Sequence, residues 1–142
     1  MDVTAIPFNH FIGIEHSDKP EYLLMLRRSP NLLNHLGTMH ASAQSALAEA
    51  TSGVCLLSSF KEQIASTVAV VRRCDMKFSK PAQGSLYASA RLDGDRAQIV
   101  ADVEGKGRAL IHIEVEVHDA EGNRTMSASF DWFVSLRSPR VS

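Results

Sequence analysis

One carboxylate, Glu49, stands alone in the stretch NHLGTMHASAQSALAEATSG, residues 34–53, and the next full charge after it is Lys61. The stretch has the make-up of a helix built from small and apolar residues, expected from about Thr38 to Ser58. Ala43, Ala46, Leu47, Ala50 and Val54 fall at helical spacing on one side. Ser42, Ser45, Glu49 and Ser52 line another, at i, i+3, i+7 and i+10. A solvated helix face ordinarily carries several Lys, Glu or Arg residues, and a helix uncharged nearly all round is a buried one. Removal from water raises a carboxyl pKa and improves it as a base near neutrality. The helix entrance, His40 to Ser42, offers N–H groups without intrahelical partners, which suit an oxygen that gains negative charge.

Other residues with chemical potential have plainer readings. His112, Glu114, Glu116 and His118 alternate along one strand face. Ligands two apart on a strand stand in a row and converge poorly on one tetrahedral ion, so a solvent or interface face is expected and no metal. Of the two cysteines, Cys55 falls in the helix and Cys74 in a strand, and both are expected as buried free thiols. The chain has no His-Glu-x-x-His, paired Cys-x-x-Cys, Gly-x-Ser-x-Gly or phosphate-binding Gly loop.

The elements that must position Glu49 can be placed around it. PFNHFIGIEH is rich in β-branched and aromatic residues and is expected to form a first strand, about Phe8 to Glu15. EYLLMLRR is ambiguous between strand and helix, and SPNLLNHLG reads as a loop. After the helix, QIASTVAVVRRCDMKF reads as a strand and KPAQG as a turn. SLYASARL alternates with period two. DRAQIVADVEGKG reads as a short helix with Asp95 as N-cap, Ile99, Val100 and Val103 as its apolar stripe, and Gly105 or Gly107 as its stop. ALIHIEVEVHD and RTMSASFDWFVSLR form a hairpin through DAEGN. Long antiparallel strands plus one uncharged helix imply an α+β domain over residues 1–142, in which a curved sheet wraps the helix.

This order of elements resembles the hot-dog fold of the thioesterase superfamily, in particular the phenylacetyl-CoA thioesterase branch and its poorly characterised thioesterase-like members. That branch has an Asn in a loop, a His-Gly-Gly entering the central helix, and Leu-Ala-Asp or Leu-Ala-Glu further on. Asn34 stands at the loop Asn, His40, Ala41 and Ser42 at the His-Gly-Gly, and Leu47, Ala48 and Glu49 at the Leu-Ala-acid. MKFSKPAQGSLYASARL and VEVHDAEGNRTMSASFDWFV resemble later stretches of the family, so the likeness covers most of the chain.

The resemblance implies acyl-CoA thioester hydrolysis, with Glu49 as general base or nucleophile and Asn34 orienting the carbonyl or the water. It implies an oxyanion site at His40, Ala41 and Ser42, and a pocket shared across a homodimer or a dimer of dimers. His40 is read as a capping or packing residue in preference to an acid–base group, and Asn34 equally suits a turn that bonds its own backbone. Arg72, Arg73, Lys77, Lys80 and Arg108 are available for the phosphates of coenzyme A, which enters as substrate; no resident cofactor is expected. The family glycines are replaced by Ala41 and Ser42, whose side chains narrow the approach of a carbonyl to the backbone. That change motivates the alternative of a non-catalytic module binding an acyl thioester or a protein partner. A hot-dog hydratase ranks last, because the helix entrance lacks an Asp-x-x-x-x-His pairing.

Composition sets outer bounds. Hydrophobic residues make up 44%, charged residues 22%, and net charge is -1, the profile of a folded domain without general attraction to nucleic acid or an anionic membrane. The start, MDVTAIPFNHF, lacks a basic segment followed by an uninterrupted apolar run, and no apolar run is long enough to span a bilayer. A cytoplasmic setting is expected.

Overall fold

A computed structural model describes residues 1–138. Six antiparallel strands form one sheet in the order β1-β2-β4-β5-β6-β3. The strands are β1 (Ile14–His16), β2 (Leu24–Leu26), β3 (Thr67–Phe78), β4 (Leu86–Asp93), β5 (Arg108–Asp119) and β6 (Arg124–Leu136). The helices are α1 (Pro7–Ile12), α2 (Ala41–Ser59), α3 (Lys61–Ile64) and α4 (Arg96–Lys106). No helix among the described residues is long and apolar enough to cross a membrane.

Helix α2 lies in the hollow of the sheet, mainly over β4 and β5. Its buried face holds Ala43, Leu47, Ala48, Ala50, Thr51, Cys55 and Leu56. Small residues there let the helix axis come close to the strands. Leu86, Ala88, Ile111, Ile113, Val115, Met126 and Phe130 meet it from the sheet, all at most 1% exposed. The buried hydroxyl of Thr51 donates to the Leu47 carbonyl at 2.7 Å, so its burial leaves no orphaned polar group. Gln44, also buried, accepts from the Thr125 hydroxyl at 2.9 Å and ties α2 to the start of β6.

The sheet has two unequal edges. β1 is only three residues long, whereas β3 runs for 12 with one side unpaired among the described residues. Val71, Cys74, Met76 and Phe78 share the concave face with Trp132, Phe130, Ala128 and Met126, their partners in register. α2 does not extend over them, and Phe78 is 46% exposed. Cys74 is exposed for the same reason, which corrects the expectation of two buried thiols; Cys55 is buried, and burial pushes its thiol pKa up.

The expected first strand, Phe8 to Glu15, is the main correction. Residues 7–12 form α1 instead, and the strand begins only at Ile14. Pro7 opens the helix, and Gly13, at φ 88°, closes it by donating its N–H to the Asn9 and His10 carbonyls. The buried Asn9 amide donates to the Val3 carbonyl at 3.0 Å and fixes the turn on the core. Phe8 and Phe11, which suggested a strand, are exposed. EYLLMLRR resolves to strand β2, whose three residues are all buried. α4 forms with Asp95 as N-cap and Gly107, at φ 72°, as its stop.

Candidate active site

Glu49 is half-buried on the one open stripe of α2. Ser42, Ser45, Ala46, Glu49, Gly53 and Leu57 follow one another at helical spacing, and none of them is fully buried. Among the described residues, no hydrogen bond or ion pair reaches the Glu49 carboxylate. Burial without a compensating partner holds its pKa above the ordinary value of 4.5. Ser52, expected on the same stripe, is completely buried and sits to one side. Its hydroxyl donates to the Glu49 carbonyl at 2.7 Å and accepts the Trp132 indole N–H at 3.0 Å.

The helix entrance is built by the loop before it. Asn34 Oδ1 accepts the N–H groups of Leu36 and Thr38 at 2.9 and 3.1 Å, and Nδ2 donates to Thr38 Oγ1 at 2.9 Å. Gly37, at φ 75°, makes the reversal, and Leu33 bridges to Met39. The Asn34 amide is thus engaged within its own loop. The His40 N–H donates to the Leu32 carbonyl and the Met39 N–H to the Ala82 carbonyl, each at 2.7 Å. These bonds deliver the chain to α2 in an extended conformation.

His40 is the N-cap. Its Nδ1 accepts the Ser42 N–H at 2.9 Å, so Nδ1 carries no proton and the exposed Nε2 is the donor. The N–H groups of Ala43 and Gln44 turn to the His40 carbonyl at 3.0 and 3.1 Å. Of the first helical N–H groups, only that of Ala41 has no acceptor among the described residues. The expected oxyanion site therefore reduces to the Ala41 N–H and the His40 Nε2–H, because Ser42 is occupied by the cap.

Arg73 and Lys77 pair in register with Asp131 and Ser127, and Arg108 with Ser135, all on the convex face, opposite Glu49. Arg72 sits at a bulge with its guanidinium 3.9 Å from the centre of the Phe133 ring on that face. Lys80 is different. It lies past the end of β3, two residues before Ala82, which bonds to the helix entrance. The His112, Glu114, Glu116 and His118 row also faces outward; His112 is hydrogen-bonded to Asp131, and Glu116 is 3.3 Å from Arg124. Two open clefts, of about 240 and 420 Å³, lie on this convex side and include no residue of α2.

A family model described as "Domain of unknown function (DUF4442)" matches residues 12–134. The chain belongs to this family. Among solved structures, a protein of Pseudomonas aeruginosa described as a probable thioesterase is 26% identical. The match covers 95% of this chain and 91% of that one, with a TM-score of 0.79. A Haemophilus influenzae thioesterase is 14% identical, covering 99% and 90%, with a TM-score of 0.72. A Bacillus halodurans protein solved with CoA is 20% identical, covering 78% and 69%, with a TM-score of 0.63. No curated protein matches the chain. The hot-dog fold and the thioesterase superfamily are both borne out.

Two residues at the site escaped the sequence reading: Trp132 and Gly53. Gly53 continues the Glu49 stripe, and Trp132 is the only tryptophan of the chain. Strand alternation alone would have put Trp132 on the concave face with Phe130 and Val134.

Proposed function

We propose that this member of the DUF4442 family is an acyl-CoA thioesterase. The observation that carries the proposal is Glu49: a half-buried carboxylate without a partner among the described residues, its pKa raised, on the open stripe of the central helix. Glu49 acts as general base toward water, or attacks the thioester itself. The Ala41 N–H and the His40 Nε2–H receive the oxygen that becomes negative. Asn34 positions these donors by holding the loop that delivers the chain to α2. Lys80, exposed and tied by chain to the helix entrance, is the first candidate for the coenzyme A phosphates, ahead of Arg72, Arg73, Lys77 and Arg108.

Donors and base belong to different subunits in this reading. Ala41 and Glu49 are eight residues apart on a straight helix, about 12 Å along its axis. One thioester cannot touch both in one protomer. The 12-residue open edge of β3 supports pairing with a second copy, which hides its free backbone groups. The setting proposed is the reducing cytoplasm, where Cys55 and Cys74 stay thiols.

The test follows free thiol release from a panel of acyl-CoA substrates. Turnover by the wild type and a loss of about a hundredfold or more in Glu49→Gln are expected. Absence of turnover for every chain, or an unimpaired variant, contradicts the proposal. The cap on Ser42, which removes one oxyanion donor, favours a second reading: a module that binds acyl thioesters without hydrolysis. Saturable binding with no thiol release would select it.

A further inference from the structure

The open stripe of α2 changes character along its length. Toward the entrance it carries Ser42, Ser45 and Ala46; beyond Glu49 it carries Gly53 and Leu57, with Val54 alongside. The polar half suits a thioester carbonyl and the apolar half suits an acyl group. Four residues past Glu49, about 6 Å along the axis, the apolar half meets Trp132. A Cβ placed on Gly53 would lie 3.8 Å from Trp132 Cζ2 and 4.0 Å from Cη2. The indole N–H is fixed at 3.0 Å on Ser52 Oγ, and Val71 of β3 pairs with Trp132 in register on the same concave face. The indole is only partly buried, so it presents a rigid edge to the surface on which Glu49 opens.

We propose that Trp132, seated against Gly53, is the end wall of the acyl pocket and limits this protein to short acyl groups. The inference rests on the thioesterase reading for the position of the thioester at Glu49, but the wall itself is a property of α2, β6 and β3. A chain running from Glu49 along the apolar stripe stops at the indole. The absence of a side chain at Gly53 sets how much room remains before it. Bulk at position 132 governs the limit.

The single tryptophan makes the test direct, because all indole emission of the full chain comes from this position. Non-hydrolysable S-alkyl-CoA thioethers from ethyl to decyl are titrated against it, with free coenzyme A as control. A saturable emission change is expected for the short alkyl thioethers and none for coenzyme A. In parallel, kcat/KM is measured over acyl-CoA chains of increasing length. Trp132→Ala should move the limiting length upward and Gly53→Ala downward, by about tenfold in kcat/KM for each methylene at the limit. Trp132→Phe, which keeps most of the bulk and loses the indole N–H, should leave the limit near that of the wild type. Gly53→Ala guards against misfolding, since alanine is favoured in a helix interior and its Cβ would make an ordinary contact. Unchanged length profiles in folded Trp132→Ala and Gly53→Ala overturn the proposal, even with a fully active thioesterase. If the wild type hydrolyses nothing, the thioethers decide alone. A length limit in binding that Gly53→Ala shortens supports the wall, and an unperturbed indole overturns it.

Discussion

Ala41 and Glu49 share one helix and cannot share one substrate within a protomer: eight residues place them about 12 Å apart along the axis. Among the described residues, Ala41 offers an N–H with no acceptor and Glu49 a carboxylate with no partner. In the proposed function each is half of a hydrolytic site. On that proposal, the open edge of β3 and the partly exposed concave residues beside it are where a second copy would bring the other half.

Glu49 should cost the fold stability at neutral pH. Its folded pKa lies above the ordinary 4.5, so within that window the native state holds a proton that the unfolded chain releases. Stability falls as pH rises from about 4.5 through the raised value, and stays lower above it. Glu49→Gln removes the penalty. Its melting temperature should exceed that of the wild type by about 2 °C or more near pH 7, with the gap closing as pH falls toward 4.5. Thermal melts across pH check this; a gap of constant size, or of opposite sign, counts against a desolvated carboxylate.

In the proposed function His40 has two parts to play, and substitutions separate them. Asparagine is a good N-cap, so His40→Asn should hold stability within about 0.5 kcal/mol, whereas His40→Ala should lose about 1 kcal/mol. Both lose the Nε2–H donor and should lower kcat by about tenfold or more. Denaturant melts and initial rates on the same samples give both readings. Full activity in His40→Asn would confine His40 to capping.

Asn34 is predicted to act through its loop. Asn34→Asp keeps the oxygen that accepts from Leu36 and Thr38, so the loop and turnover within about threefold of wild type should survive. Asn34→Ala removes three hydrogen bonds and should cost about 1–3 kcal/mol, together with activity. An inactive but well-folded Asn34→Asp would instead mark the amide N–H as a direct contact to substrate.

Much of this architecture was legible, and the failures have physical causes. α4 was readable because Asp95 and Gly107 are chemical stop signs whose effect is local. β5 was readable because Ile111, Ile113, Val115 and Val117 alternate without interruption. α1 was missed because Phe8, Phe11 and Ile12 outweighed the Pro7 and Gly13 signals on either side; with both Phe side chains exposed, their β preference had no sheet to act on. Cys74 was misjudged because burial on an edge strand depends on what covers it, and α2 leans toward β4 and β5. Glu49 stood out by its isolation, but that its carboxylate meets no partner among the described residues is a three-dimensional fact. The commitments of Asn34 and of the Ser42 N–H are likewise set by loop geometry that residue identity alone does not encode. Trp132 lies 80 positions from Ser52, and only the sheet brings them together.

The claim that the site spans two subunits has a direct test. Ala41→Pro deletes the N–H at the start of α2 that has no acceptor among the described residues, at a position where proline is favoured, after a residue already extended at φ -63° and ψ 143°. Alone it should lower kcat by about a hundredfold, and Glu49→Gln alone should be comparably impaired. The two variants, co-expressed with different tags, form mixed oligomers. In a mixed dimer, one site combines the intact Glu49 of one chain with the intact Ala41 N–H of the other. Thiol release from the mixture should recover to about one quarter of the wild-type rate, the share of sites that are whole. Activity no greater than the sum of the two variants, with mixed oligomers demonstrably present, would contradict a shared site.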